Sequence, residues 1–281
     1  MTTNYGRREK FLVLIDFSED SYKALDDLIK LVKEIGGSIE VFSILSPLGI
    51  MDKENQITAL RTMDMEEKRV ERKLNSIVEM IELEGIKANS SYSIGNVKSE
   101  LKLKLIKSQP DVMVLAKKGN FANGVLHFLI NEYKNAVLIL GNAQKFFRGN
   151  SIAIGYEDKT FNFQDFQLIY KISRATEIKM TLLRTVASSG IDHSTGKSDW
   201  IIENIPDKAY SSVNYHSNSD LTGALLKNSL SKDVVLLCIG KNLSKKALFR
   251  NPFKNSTTFK IVKNTRVPLL IMGVKNESLM V

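Results

Sequence analysis

The feature that most constrains this chain is that its order of elements occurs twice. Asp111-Val-Met-Val-Leu-Ala116 has a counterpart in Asp233-Val-Val-Leu-Leu-Cys238, and Val137-Leu-Ile-Leu-Gly141 has one in Leu269-Leu-Ile-Met-Gly273. Between these apolar runs lie stretches with apolar residues at helical spacing, so strands alternate with helices. Strands joined in this way lie parallel and connect by right-handed crossovers. Self-similarity over half of a 281-residue chain sets the domain count at two. The length favours two domains as well. The boundary is expected near 143–149, which gives domains of residues 1–143 and 149–281.

In the first copy Phe11–Ile15 is a continuous apolar run, as in a strand covered on both faces, and Asp16 ends it. Ser18 caps the helix that follows, Glu19 and Asp20 suit its positive end, and Ala24, Leu25, Leu28, Leu31, Val32 and Ile35 share one face. Gly36-Gly37 stops it. The spacing predicts further strands over 38–45, 87–94, 111–116 and 136–140. It predicts helices over 57–83, 97–108 and 125–133, with a glycine-bearing loop over 118–124. In the second copy strands are expected over 152–154, 179–186, 211–215, 233–238 and 269–272, and helices over 163–176 and 221–230. Residues 187–206 are polar and turn-rich, so most of the long second helix is expected to be missing there, with a short helix near 200–203 in its place.

The 40 Lys and Arg against 31 Asp and Glu give a formal charge of +9. They are spread over helical faces (Lys98, Lys102, Lys104, Lys107; Lys68, Arg69, Arg72, Lys73), which reads as solvated surface. No nucleic-acid partner is expected. Cys238, the one cysteine, sits in an apolar run, so it reads as a small core residue in a protein of the reducing cytoplasm. No run approaches the roughly 20 apolar residues that a membrane helix needs, and no membrane partner is expected. His127, His193 and His216 have no neighbours at metal-ligand spacing, so no metal is expected. There is no phosphate-binding Walker loop, nucleophile elbow or dinucleotide fingerprint, and no catalytic residue is assigned.

The run Phe11-Leu-Val-Leu-Ile-Asp16-Phe-Ser-Glu-Asp-Ser-Tyr-Lys-Ala-Leu25, followed by Gly36-Gly-Ser-Ile-Glu-Val-Phe42, resembles the opening of a universal stress protein. The order of elements and Val267-Pro-Leu-Leu-Ile-Met272 extend the resemblance to the second copy. It implies two α/β domains of the flavodoxin-like or adenine-nucleotide α-hydrolase-like kind. Each would be a five-stranded parallel sheet with helices on both faces, the second degenerate and lacking most of one helix. It also implies a stress-response role through ligand sensing or protein contact.

Nucleotide-binding members of that family carry an Asp at the end of the first strand, in the adenine region. After the fourth strand they carry a loop of Gly, two residues, Gly, nine residues, Gly and Ser or Thr, whose backbone N–H groups cradle phosphate. Carried over, the cofactor-binding positions are Asp16, Phe17, Gly119, Asn123 and Gly124 in the first copy, and Gly240, Asn255 and Ser256 in the second. The first copy keeps the Asp but has a shortened loop. The second keeps Gly240 and Ser256, yet Leu243 and Asn255 stand where glycines belong and Gly155 replaces the Asp. Lys241, Lys245, Lys246 and Arg250 offer charge in place of the missing glycines.

ATP or another adenine nucleotide is the cofactor implied, with slow ATPase or phosphotransfer activity as the enzymatic alternative. Phe121, Phe249 and Phe253 would suit a different small molecule. Single-domain relatives pair through their last strands. The resemblance therefore implies an intramolecular pseudo-dimer through Val137–Leu140 and Leu269–Met272, and leaves room for a separate protein partner.

Overall fold

In the computed structural model the described residues are 8–47, 56–118, 122–141, 149–156, 163–185, 210–215, 218–241 and 257–273. They form two compact units, Met1–Leu129 and Ile130–Val281.

The first unit runs β1 (Lys10–Leu14), α1 (Glu19–Ile35), β2 (Ser38–Leu45), α2 (Gln56–Leu83), β3 (Lys87–Ile94), α3 (Val97–Ser108) and β4 (Val112–Ala116). Its strands lie in the order β3-β2-β1-β4, and every pair is parallel. The chain steps outward from β1 to β3 and then returns past β1 to β4. With right-handed crossovers, that reversal sets α1 and α2 on one face and α3 on the other. Accordingly β1, β2 and β4 are buried almost throughout, with Phe11, Leu12, Ile15 and Val114 fully enclosed. The edge strand β3 is instead polar, Lys-Ala-Asn-Ser-Ser-Tyr-Ser-Ile, a composition that discourages further strand pairing. Gly36 ends α1 at φ +72, where its N–H closes on the Val32 carbonyl.

Among the described residues of this unit two carboxylates are buried, Asp27 on α1 at 6% exposed and Glu40 on β2. Glu40 is 8% exposed, with Lys104 Nζ at 2.5 Å and Lys10 Nζ at 3.5 Å. A buried carboxylate needs such counter-charge. Lys104 therefore turns inward, which corrects the reading of all four α3 lysines as solvated surface.

Helix α4 (Ala122–Asn131) begins earlier than the spacing predicts, so Asn123 and Gly124 stand in its first turn and not in a loop. It also ends earlier, and beyond its end the carbonyls of Tyr133 and Asn135 accept from the Lys241 ammonium.

The second unit contains β5 (Ala136–Leu140), β6 (Ser151–Tyr156), α5 (Phe163–Thr176), β7 (Lys179–Thr185), β8 (Tyr210–Tyr215), α6 (Asn218–Asn228), β9 (Val234–Gly240), α7 (Thr257–Asn264) and β10 (Leu269–Met272). Strands β10-β9-β6-β7-β8 form a five-stranded parallel sheet, the same topology as β4-β1-β2-β3 with one strand added. Strand β5 joins β10 antiparallel, with Leu269 opposite Ile139 and Ile271 opposite Val137. The repeat counts β5 as the last strand of the first copy, yet this pairing makes it compact with the second unit. The short helix expected near 200–203 and the helix expected to be missing lie outside the described residues.

Register makes the two copies comparable residue by residue. Val13 pairs with Val114, and Ile152 pairs with Leu236. Val114 and Leu236 each stand three residues after an aspartate, Asp111 and Asp233. Asp16 and Gly155, three residues further along their own strands, are therefore equivalent positions.

Candidate functional site

In the first unit the apolar run of β1 ends in Ile15, whose N–H bonds the Phe42 carbonyl of β2 at 2.9 Å. The chain must then turn into α1. Phe17 takes a left-handed φ of +59, uncommon for a bulky residue. Ser18 caps the helix by accepting from the Ser21 N–H at 3.2 Å. Asp16 Oδ1 fixes this turn, accepting from Ser18 N at 3.0 Å and from Ser18 Oγ at 2.5 Å.

The strand ends open onto a cleft of about 340 Å³. Asp16 and Phe17 from the end of β1 line it with Ser43, Ile44 and Leu45 from β2, and α2 closes it with Glu66, Arg69, Val70 and Lys73. Lys73 Nζ lies 4.7 Å from the centre of the Phe17 ring, a cation–π contact across the mouth. Arg69 Nη1 pairs with Glu66 Oε1 at 3.3 Å. The cleft is thus lined by polar and apolar side chains together, and its wall carries both signs of charge. The site lies at the carboxyl ends of parallel strands, where open α/β sheets bind ligands.

Among the residues expected to bind a cofactor, Asp16 and Phe17 come together here. Gly124 lies in α4, where a Cβ would meet nothing within 4 Å, so no steric demand for glycine exists there. The Asn123 side chain, Gly119, Asn255 and Ser256 lie outside the described residues, as do Phe121, Phe249, Phe253, Lys245, Lys246 and Arg250. Arg69 and Lys73 of the cleft wall read from the sequence as solvated charge. The signal for the wall is that Glu66, Val70 and Lys73 share a helical face with buried Leu74 and Ile77.

The second unit is built differently at the equivalent place. A Cβ on Gly155 would lie 2.9 Å from Leu225 Cδ1 and closer still to Cδ2. Leu225, from α6, is wholly buried. It fills the space that a side chain at position 155 would need. Gly240 is buried at the end of β9, opposite Met272. The next residue, Lys241, turns inward to the carbonyls of Tyr133 and Asn135, and its own carbonyl accepts from Thr258 Oγ1 at 3.3 Å. Its charge is therefore engaged within the chain.

Asp165, in the first turn of α5, accepts from the Gly273 N–H that follows β10. Burial raises its carboxyl to about 6, opposed by the Gly273 bond and the Lys241 charge. Burial lowers the Lys241 ammonium to about 8, opposed by Asp165. The enclosed Cys238 thiol is raised by burial and further by Asp165.

These shifts set a pH dependence. Between about 4 and 6 folded Asp165 holds a proton that the unfolded chain has released, so stability is gained as pH falls through 6 and lost as it rises. The difference between 3.8 and about 6 corresponds to roughly 3 kcal/mol. Urea midpoints between pH 4 and 7 are expected to show this term in the native protein. Asp165→Asn, which keeps an acceptor for Gly273 but does not titrate, is expected to lose it. An unchanged pH slope in the variant would contradict the assignment.

Among the described residues no three His, Cys, Asp or Glu side chains are placed to hold a metal ion, and no helix is long and apolar enough to cross a membrane.

No protein-family model and no curated protein sequence matches the chain. Solved structures do match. A universal stress protein from Archaeoglobus fulgidus DSM 4304 aligns over 96% of this chain and 98% of its own, with 15% identity and a TM-score of 0.66. A putative universal stress protein from Pseudomonas aeruginosa UCBPP-PA14 aligns over 96% and 95%, with 10% identity and a TM-score of 0.54. The cytoplasmic domain of a prokaryotic cation chloride cotransporter aligns over 95% and 96%, with 12% identity and a TM-score of 0.56. At such identities the likeness is one of fold, and it spans both copies: the chain has the universal stress protein fold in tandem form.

Proposed function

We propose that the chain is a stress-response protein of the universal-stress-protein kind, sensing a small molecule in its first copy and acting through contact with a partner, without catalysing a reaction. The observation that supports this most is the contrast between two equivalent positions. Asp16 faces a cleft of about 340 Å³, whereas Gly155 is covered by Leu225. A cleft of this size suits a metabolite-sized ligand. Asp16 accepts two bonds from Ser18, which favours holding the turn and orienting a ligand over proton transfer.

The antiparallel pairing of β5 with β10 supports a pseudo-dimer within one chain. Fusion makes such a partner available at high effective concentration, and the pairing covers strand edges. The single, buried Cys238 favours the reducing cytoplasm. A second reading, a slow ATP-dependent enzyme using the same cleft, draws on the place of Asp16 at the family's adenine-region position.

Native mass spectrometry and calorimetry with ATP separate the two. One metabolite-sized ligand per chain, lost in Asp16→Ala with a stability cost of only about 1 kcal/mol from the altered helix entry, is the expected result. Turnover of bound ATP would favour the enzymatic reading. A chain that takes up no small molecule would count against both.

A further inference from the structure

We infer that the outward face of α3 is a docking seam for an amphipathic helix with acidic flanks, supplied by a partner protein. On α3, Leu101 and Leu105 are buried against the sheet, while Leu103 and Ile106 are 61% and 64% exposed. Ser99, Leu103 and Ile106 follow one another at spacings of four and three, the pattern of a helix–helix seam. Lys102 and Lys107 are exposed and fall at flanking positions of that pattern, where charge selects a partner helix; Glu100, at the flanking position seven residues before Lys107, lies against Gly95 at the start of the helix.

These lysines differ from the others on the helix. Lys104 is engaged by Glu40, and Lys98 lies 5.5 Å from the centre of the Phe128 ring. No described carboxylate pairs with Lys102 or Lys107. An apolar ridge two side chains long, with positive charge on either side, is complementary to the groove of a helix that has apolar core positions and Glu or Asp beside them. The formal charge of +9 favours the same sign of partner. A seam of two layers gives modest affinity, suited to a reversible contact. This partner class rests on the interaction reading above; the ligand cleft is probed by a different variant, Asp16→Ala, so the two can fail separately.

The test uses the full chain and two labelled three-heptad peptides with Leu at core positions, one flanked by Glu and the other by Lys, read by fluorescence anisotropy. The Glu peptide is expected to bind at least about tenfold tighter than the Lys peptide. Leu103→Asp with Ile106→Asp should weaken the Glu peptide by at least about tenfold. Lys102→Glu with Lys107→Glu should reverse the preference. Lys227→Glu with Lys260→Glu, the same charge change at exposed positions of the second unit, should leave it intact. A preference that survives reversal at 102 and 107, or that is lost equally in the 227 and 260 control, would overturn the proposal. So would binding to phosphatidylglycerol vesicles, but not to the peptides, with the same dependence on Leu103 and Ile106.

Discussion

Replacing Ile139 and Ile271 together by aspartate is expected to melt the second unit. Ile139 is 1% exposed and Ile271 is fully buried, on the adjacent antiparallel strands β5 and β10. A carboxylate placed there has no counter-charge. Leaving one charge buried and unpaired costs on the order of 3–5 kcal/mol. Two such costs approach the whole stability of an ordinary domain, about 5–15 kcal/mol. The double variant should lose at least about 15 °C in its melting temperature, with expansion visible in solution scattering. Unchanged melting and compactness would mean that the pairing of the two last strands does not hold the structure together.

The second large effect is expected at Gly155. Gly155→Asp restores the residue type that the first copy has at the equivalent position, so an open crevice would accept it. A filled one would not, since the new Cβ meets Leu225 at both methyl groups and the carboxylate enters an apolar interior. Overpacking costs about 1–3 kcal/mol, and the buried charge adds more. The expected result is a drop of at least about 3 kcal/mol in unfolding free energy with no gain of nucleotide binding. A variant of native stability that took up ATP would show that the second crevice is available after all.

Much of the fold was legible because the strands of a parallel sheet are buried on both faces and read as unbroken apolar runs. Ala136–Leu140 is such a run, while the polar edge strand Lys87–Ile94 and the helices Val97–Ser108 and Phe163–Thr176 stand where their alternation and helical spacing place them. The start of α4 was not legible, because Ala122-Asn-Gly124 carries turn-forming residues that the structure uses in a first helical turn. The inward turn of Lys104 was hidden for another reason. Its partner Glu40 lies on strand β2, far from α3 in sequence, and no local pattern couples them. The same holds for the site. Asp16 was visible as the residue that interrupts an apolar run, but the wall that α2 supplies depends on how a long helix lies over the strand ends. The covering of Gly155 by Leu225 joins positions far apart in sequence, and the glycine alone signalled only a missing carboxylate.

The most direct measurement is a crystal structure of the protein purified without added ligand and then soaked with ATP. Density is expected in the space bounded by Asp16, Phe17, Ser43 and Lys73, with Leu225 still resting on Gly155 and nothing bound beside it. Density at Gly155 with the Asp16 cleft empty, or residues on either side of position 145 in unrelated topologies, would contradict a doubled fold with one open and one filled crevice.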